Sequence, residues 1–117
     1  MAKVLVAEDE LSLAELVRVN LADEGHEVVI AVDGRHALQA LMKEGPFDVV
    51  VLDLMMPFTD GFEVLENVRG RQPKVIILTA RDDSYTKDRA SKFNVDAYIT
   101  KPYDPKVLAD KVRELTG

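Results

Sequence analysis

A small set of polar side chains in this 117-residue chain stands at the ends of short apolar runs. The set comprises Glu8, Asp9, Asp53, Thr79 and Lys101. Carboxylates that lie close together repel one another unless one is protonated or a cation neutralises them. Oxygen ligands without nearby His or Cys favour Mg²⁺, with Mn²⁺ as the alternative ion. These residue types suit a metal-assisted attack of a carboxylate on a phosphoryl group, which yields an aspartyl phosphate.

The acidic residues have different expected roles in this chemistry. Asp53 is the expected nucleophile, because the last position of a central strand is held rigidly. Glu8 and Asp9 are better placed to hold the metal, and Met55 would contribute only its main-chain carbonyl. The acids alone therefore predict a metal site with one accessible acceptor.

Three further residues would contact the transferred phosphoryl group. Lys101 supplies positive charge, Thr79 supplies a hydroxyl, and the small Ala80 leaves room for the phosphate oxygens. Taken singly, each has an ordinary explanation as a solvated side chain, a local cap or a turn residue. The prediction depends on their joint presence, because the carboxyl ends of parallel strands meet at one edge of the sheet.

Alternating elements must position these groups. Val- and Ile-rich runs predict strands at Val4–Ala7, Val28–Ala31, Val49–Asp53, Val75–Thr79 and Ala97–Thr100. Helical periodicity predicts helices at Leu11–Glu24, Arg35–Glu44, Phe62–Gly70, Ser84–Asn94 and Pro105–Leu115. We therefore predict an α/β fold: a single doubly wound (βα)5 flavodoxin-like domain. Its five-stranded parallel sheet has the order 2-1-3-4-5, with helices on both faces.

The first and fourth helices differ in their predicted attachment to the sheet. The apolar stripe of the first helix consists of Leu13, Leu16, Val17 and Leu21. The fourth helix offers little apolar surface beyond Tyr85, Ala90 and Phe93. We expect the fourth helix to be the least firmly held, either as a solvated edge or as a moving part.

The composition excludes several classes of protein. The chain has 15 basic and 21 acidic residues, a net charge of -6, 47% hydrophobic residues and no Cys. Disulfides, thiolate metal sites and Cys nucleophiles are thereby excluded. The acidic balance disfavours direct binding of this domain to nucleic acid or to a membrane surface. No apolar run approaches the roughly 18 residues that cross a bilayer, and without a signal-peptide pattern we expect a cytoplasmic protein.

Four separated motifs occur in an order that is typical of one family. They are Val6-Ala7-Glu8-Asp9-Glu10, Leu52-Asp53-Leu54-Met55-Met56-Pro57 with Asp60-Gly61, Thr79-Ala80, and Lys101-Pro102-Tyr103. With these motifs the chain resembles the receiver domain of two-component response regulators. The resemblance covers essentially the whole length, so residues 1–117 are expected to form one receiver domain.

The resemblance implies a role for each matched residue. Asp53 resembles the phosphoacceptor, and Glu8 and Asp9 resemble the Mg²⁺-binding acids. Thr79 and Lys101 resemble the phosphate-sensing pair. In addition, Tyr98 resembles the aromatic switch residue, whose ordinary explanation is a half-buried strand aromatic, and the peptide bond between Lys101 and Pro102 is expected to be cis.

The resemblance also implies a function. A histidine kinase, a phosphotransfer protein or a small phosphodonor would phosphorylate Asp53. The face formed by helix 4, strand 5 and helix 5 would then change and control a downstream partner or output domain. Self-phosphorylation and self-dephosphorylation are expected, without conventional enzymatic turnover. Asp9, Pro57, Lys101 and the first helix form the expected docking face for the donor. Met55 and Arg81 are expected to flank the path of attacking water, but a solvated residue at the start of a helix is the better explanation of Arg81 alone.

Some positions depart from the family pattern. Glu8 replaces a common Asp, and Phe58-Thr59 replaces a frequent Gly-Met. Ser91 and the pair Asp96-Ala97 replace an apolar residue and a usual Asp-Asp on the helix 4 and strand 5 face. These replacements argue against the dimer that winged-helix transcription regulators form through that face.

Three other functions compete with this interpretation. A phosphohydrolase of the haloacid dehalogenase type needs a second acid two residues after the nucleophile, where this chain has Met55. A flavodoxin-like nucleotide binder needs Gly, Ser and backbone amides after the first strand, where this chain has acids. A phosphorylation-independent interaction module of the same fold is the remaining alternative. The output, the cognate kinase and the lifetime of the aspartyl phosphate stay open.

Overall fold

Strands and helices alternate along the chain, as predicted. The computed structural model describes residues 2–56, 60–68, 70–71, 73–80 and 83–117. The strands are β1 (Lys3–Ala7), β2 (Glu27–Ala31), β3 (Val49–Asp53), β4 (Lys74–Thr79) and β5 (Ala97–Thr100). The helices are α1 (Leu11–Asp23), α2 (Gly34–Lys43), α3 (Gly61–Val68), α4 (Ser84–Ala90) and α5 (Pro105–Thr116). No helix within these described ranges is both long and apolar enough to cross a bilayer.

The strands form one parallel sheet in the order β2-β1-β3-β4-β5, which confirms the predicted topology. Ala7 at the end of β1 is paired with Leu52, and Asp53 at the end of β3 is paired with Leu78. Thr79 at the end of β4 is paired with Thr100 at the end of β5. This register brings the carboxyl ends of four strands to the same edge of the sheet.

Helices cover both faces of the sheet, as predicted, and each face has its own apolar core. One core packs residues of α2 and α3 against the strands, including Leu41, Val64 and Leu65. The other packs residues of α1 and α5, including Val17 and Leu108. All five residues of β3 are buried, because this central strand is covered on both sides.

The predicted apolar stripe of α1 is wrong at one position. Leu16 is 51% exposed, whereas Ala14, Val17 and Leu21 are buried. Positions 14, 17 and 21 follow helical steps of three and four, and Leu16 lies about 100° around the helix from Val17. The rotation of α1 on the sheet therefore points Leu16 outward.

Helix α4 is shorter than predicted, because it ends at Ala90 rather than Asn94. The Ser91 hydroxyl donates to the carbonyl oxygen of Asp88 at 2.6 Å. The backbone N–H of Phe93 then bonds back to Ala90 at 3.0 Å, a three-residue step that tightens the last turn. Within α4, Thr86 and Ala90 are the buried residues, which agrees with the predicted weak attachment.

Candidate functional site

The carboxyl edge of the sheet brings the predicted acids together. Glu8 directly follows β1, and Asp53 ends the neighbouring strand β3. Ligand oxygens of Glu8, Asp9 and Asp53 lie within 4.8 Å of one another. Glu8 and Asp53 are buried, whereas Asp9 is exposed at the rim.

The side chain of Lys101 lies between the two buried acids. Its Nζ is 2.7 Å from Oδ2 of Asp53, 2.8 Å from Oε1 of Glu8 and 3.1 Å from Oε2 of Glu8. The Lys101 side chain is only 19% exposed. One ammonium group therefore serves two carboxylates that lie 45 positions apart in the sequence.

Local backbone contacts orient the Asp53 side chain. The backbone N–H of Met55 donates to Oδ1 of Asp53 at 2.9 Å, while Oδ2 faces Lys101. The N–H of Leu54 continues the ladder to Leu78 at 3.2 Å. Both oxygens of Asp53 are therefore held in place before any ligand binds.

Burial and charge shift the pKa values of the acid–lysine cluster. Burial raises the pKa of Glu8 to about 7; the hydrogen bond from Lys101 opposes this shift, and the neighbouring Asp53 adds to it. Burial alone would lower the pKa of Lys101, but its hydrogen bonds to Asp53 and Glu8 raise that pKa above its usual value. Lys101 is therefore charged at neutral pH, whereas Glu8 is held back from full ionisation.

This cluster fits a Mg²⁺ ion. Glu8 and Asp53 share one ammonium group and Asp9 lies beside them, so the site lacks positive charge when all three acids ionise. Oε1 of Glu8 is buried and, among the described residues, receives no well-oriented hydrogen bond despite its distance of 2.8 Å from Nζ. Hard oxygen donors in such a set suit Mg²⁺.

The end of β4 completes this edge. Thr79 is fully buried, and its backbone carbonyl oxygen accepts a hydrogen bond from the Lys101 N–H at 2.7 Å. Ala80 follows it and is exposed. The backbone therefore couples the Thr79 position directly to the segment that carries the ammonium group.

Tyr98 occupies a half-buried position on β5. Its ring packs against the core on the α2 and α3 face, and Nζ of Lys87 on α4 lies 5.6 Å from the ring centroid. The peptide bond between Lys101 and Pro102 is cis, as the family resemblance implied. Tyr98 thus lies where a shift of α4 would change its surroundings.

The structure also places residues that the sequence analysis did not assign. The Tyr103 hydroxyl is buried, with no hydrogen-bond partner among the described residues. Arg89 of α4 lies 4.0 Å from the centroid of the Phe62 ring and 3.9 Å from an oxygen of Asp60. Tyr103 comes directly after Lys101-Pro102, and this adjacency was the feature of the sequence that could have pointed to it. No feature of the sequence pointed to Arg89.

A cavity opens beside the acceptor between the β3–α3 segment and α4. It has a volume of about 490 Å³, and its lining includes Asp9, Met55, Phe62 and Tyr85. A cavity of about 530 Å³ lies at the opposite edge of the sheet, near the start of β4, and is remote from this chemistry. The cavity between the β3–α3 segment and α4 thus borders Asp9 and Met55, which lie next to the acceptor, although Asp53 itself does not line it.

Some predicted contributors lie outside the described residues. These are Pro57 of the expected docking face, the pair Phe58-Thr59, and Arg81 beside the expected water path.

Comparison with known families and relatives gives consistent matches. The family described as "Response regulator receiver domain" matches residues 4–113. The transcriptional regulatory protein DltR of Streptococcus agalactiae is 39% identical over 113 residues, which cover 95% of this chain and 50% of DltR. The response regulator ArlR of Staphylococcus saprophyticus is 34% identical over 116 residues, which cover 98% of this chain and 52% of ArlR. The chain spans about half the length of these curated relatives.

Solved structures share the same fold. The receiver domain of the Francisella response regulator 1452 has a TM-score of 0.89 and 34% identity, covering 98% of this chain and 96% of that domain. The response regulator TrrA of Thermotoga maritima, solved in complex with Mg(2+)-BeF, has a TM-score of 0.83 and 32% identity, covering 98% of this chain and 99% of TrrA.

Proposed function

Because this chain belongs to the response regulator receiver domain family, we propose that residues 1–117 form one phosphorylation-dependent signalling switch. Asp53 accepts a phosphoryl group from the phosphohistidine of a histidine kinase or phosphotransfer protein, or from a small phosphodonor. Glu8, Asp9 and Asp53 would hold Mg²⁺, together with the main-chain carbonyl of Met55. The observation that carries this proposal is the ammonium of Lys101, 2.7 Å from Asp53 and 2.8 Å from Glu8.

The site residues divide the work of phosphoryl transfer. A carboxylate oxygen of Asp53 forms the new P–O bond while the P–N bond to the donor imidazole breaks, and the leaving nitrogen keeps the bonding electrons. The metal, when bound, spreads the negative charge of the transition state. Lys101 turns from the carboxylate to a phosphoryl oxygen, Thr79 donates its hydroxyl, and Ala80 leaves room. The same groups support hydrolysis of the aspartyl phosphate by water.

Phosphorylation then shifts a conformational equilibrium at the far side of the site. Thr79 moves toward the phosphoryl group, Tyr98 turns inward behind it, and α4 repacks together with β5. The small buried surface of α4 and the position of Lys87 over the Tyr98 ring support this route. A shift of the active fraction from about 1% to about 99% requires about 5.5 kcal/mol of differential stabilisation. Charge-assisted bonds to the phosphoryl group are of the right kind to provide it.

The two sides of the switch have different partners. The phosphodonor docks at the rim around Asp9 and Lys101 and along α1, where Leu11 is 61% and Leu16 is 51% exposed. The face formed by α4, β5 and α5 controls the downstream partner or output domain. The net charge of -6 supports a role without direct contact between this domain and nucleic acid, and we place the switch in the cytoplasm.

The proposal is tested by measuring the intact mass after incubation with acetyl phosphate, with and without Mg²⁺. We expect the native chain to gain one phosphoryl group only with Mg²⁺, or with Mn²⁺ in its place, and Asp53→Asn to gain none. Asp23→Asn, an exposed change at the end of α1, is the matched control and should behave as the native chain. A native chain that gains nothing, or a gain that survives Asp53→Asn, would favour the phosphorylation-independent interaction module.

A further inference from the structure

Helix α4 is attached to α3 through one aromatic ring. The guanidinium carbon of Arg89 on α4 lies 4.0 Å from the centroid of the Phe62 ring near the start of α3. The ring of Phe93, just after α4, lies 6.1 Å from the same ring, and their planes meet at 34°. Contacts of a ring with a cation and with a second ring add stability beyond the apolar area that they bury. We call these three residues the α3–α4 clasp.

The clasp supplies attachment that the core side of α4 lacks. Thr86 and Ala90 are the buried residues of this helix, and both are small. The two rings of the clasp, in contrast, pack against the core on the α2 and α3 face of the sheet. Nη2 of Arg89 also lies 3.9 Å from Oδ2 of Asp60, but this ion pair is exposed and adds little. The ring contacts therefore carry the attachment of α4 to α3.

Two residues hold α4 from opposite sides. Nζ of Lys87 lies 5.6 Å from the centroid of the Tyr98 ring on β5. Lys87 and Arg89 are two positions apart, so they lie about 200° apart around the helix. Lys87 thus contacts β5 while Arg89 contacts α3. Because the helix is held on both sides, it cannot repack against β5 without changing the distance between Arg89 and Phe62.

The clasp also borders the candidate site. Phe62 and Arg89 line the cavity of about 490 Å³ that Asp9 lines as well. In the same structure Nζ of Lys101 lies 2.7 Å from Oδ2 of Asp53, and under the proposed function this contact is lost when the phosphoryl group arrives. The closed clasp and the contact between lysine and acceptor therefore belong to one arrangement of the domain.

We propose that the α3–α4 clasp is an autoinhibitory contact: it holds α4 in the arrangement in which Lys101 binds Asp53, and it opens when Asp53 is phosphorylated. This inference rests on the proposed function, because that function supplies the movement that the clasp opposes. A contact made in only one of two states shifts the equilibrium toward that state. Loss of the clasp raises the fraction of the active arrangement, and with it the apparent affinity for a phosphoryl group.

The test measures the Kd of beryllofluoride, an analogue of the phosphoryl group, by isothermal titration calorimetry in saturating Mg²⁺. Phe62→Leu removes the ring but keeps an apolar side chain, and Arg89→Gln removes the cation. We expect each variant to lower the Kd about threefold, the factor that corresponds to one exposed cation–π contact. Arg18→Gln is the matched control, because it removes only an exposed pair with Glu15 on α1 and should keep the native Kd.

The direction of the change separates the clasp from ordinary packing. A substitution that only loosened the fold would leave the Kd of beryllofluoride unchanged or raise it. Phe62→Leu is the decisive variant, because it alters no charge near a site that binds an anion. A native or higher Kd in Phe62→Leu would overturn the inference.

A double-mutant comparison tests whether the ring and the guanidinium act through each other. In the Phe62→Leu background we expect Arg89→Gln to change the Kd by less than about 1.5-fold, since the contact is already lost. A further threefold decrease would show that the two residues act independently, and it would overturn the pairing.

Failure of this inference is distinguishable from failure of the proposed function. If the native chain is phosphorylated on Asp53 and Phe62→Leu binds beryllofluoride with the native Kd, only the inference fails. If the native chain gains no phosphoryl group from acetyl phosphate, the proposed function fails, and the inference fails with it because the clasp then has no movement to oppose.

Discussion

The ammonium of Lys101 lies 2.7 Å from Oδ2 of Asp53, although 48 positions separate these residues in the chain. The contact exists because β3 and β5 both flank β4, so their carboxyl ends reach the same edge of the sheet. The peptide bond that links Lys101 to the next residue, Pro102, is cis. The same ammonium group also holds Glu8, so one lysine joins three strand ends.

Removal of that ammonium should destabilise the metal-free protein. Lys101→Ala leaves Asp53 and Glu8 adjacent and without their shared cation, so the free energy of unfolding at pH 7 should fall by about 2 kcal/mol. Urea denaturation without Mg²⁺ measures the change. Lys111→Ala is the control, because Lys111 pairs with the exposed Glu114 at 3.4 Å, and a change below about 0.5 kcal/mol is expected. Equal decreases in the free energy of unfolding of the two variants would show that the buried position of Lys101 adds nothing to stability.

Glu8 should make the metal-free protein less stable as the pH rises. Its pKa of about 7 in the folded chain exceeds its ordinary value of 4.5, so the folded state binds more protons between these values. The free energy of unfolding therefore falls as the pH rises from about 4.5 to 7, by on the order of 2 kcal/mol for this group. Urea denaturation at pH 5 and pH 8 should show this decline in the native chain and a weaker one in Glu8→Gln.

The control for this pH experiment is Glu114→Gln on α5, where the glutamate is exposed. That variant should keep the native pH dependence. A native slope in Glu8→Gln would refute the assignment of this proton to Glu8.

The close approach of α3 to β3 should make Gly61 intolerant of a side chain. A Cβ at Gly61 would lie 2.6 Å from the Cα and 2.9 Å from the carbonyl oxygen of Leu54, the residue after the acceptor. Gly61→Ala should therefore cost about 2 kcal/mol in the free energy of unfolding and slow phosphorylation of Asp53. Gly70→Ala meets nothing within 4 Å and should change stability by less than about 0.5 kcal/mol. A tolerated alanine at Gly61 would contradict this packing.

Helix α4 should open more readily than the other helices. Its buried residues are Thr86 and Ala90, and Arg89 anchors it through the Phe62 ring at 4.0 Å. In hydrogen exchange we expect α4 amides to exchange fastest among the helices, and Arg89→Ala to speed them roughly threefold. Arg18→Ala, which removes an exposed pair with Glu15 on α1, should leave α4 unchanged. Exchange in α4 as slow as in α1 would refute the weak attachment.

Local patterns in the sequence were sufficient to predict the elements and their order. Strand β3 reads as an uninterrupted apolar run because both of its faces are covered, and a run of that kind is visible without any structure. The parallel order in turn predicted that Glu8, Asp53, Thr79 and Lys101 would meet at one edge. Helix starts are equally local: the carboxylates of Asp33 and Asp60 accept the backbone N–H groups of His36 and Phe62 at 2.7 and 2.9 Å, within three residues along the chain.

Tertiary packing alone decided the features that depend on how elements settle against one another. The rotation of α1 on the sheet buries Ala14 and exposes Leu16, although both are apolar residues that the sequence pattern could assign to the buried face. The Tyr103 ring packs against the α1 and α5 core and its hydroxyl is buried, while Arg89 of α4 lies over the Phe62 ring of α3. Sequence periodicity determines which face of an element is apolar. Rotation, depth and the approach of distant side chains follow from packing the whole core at once.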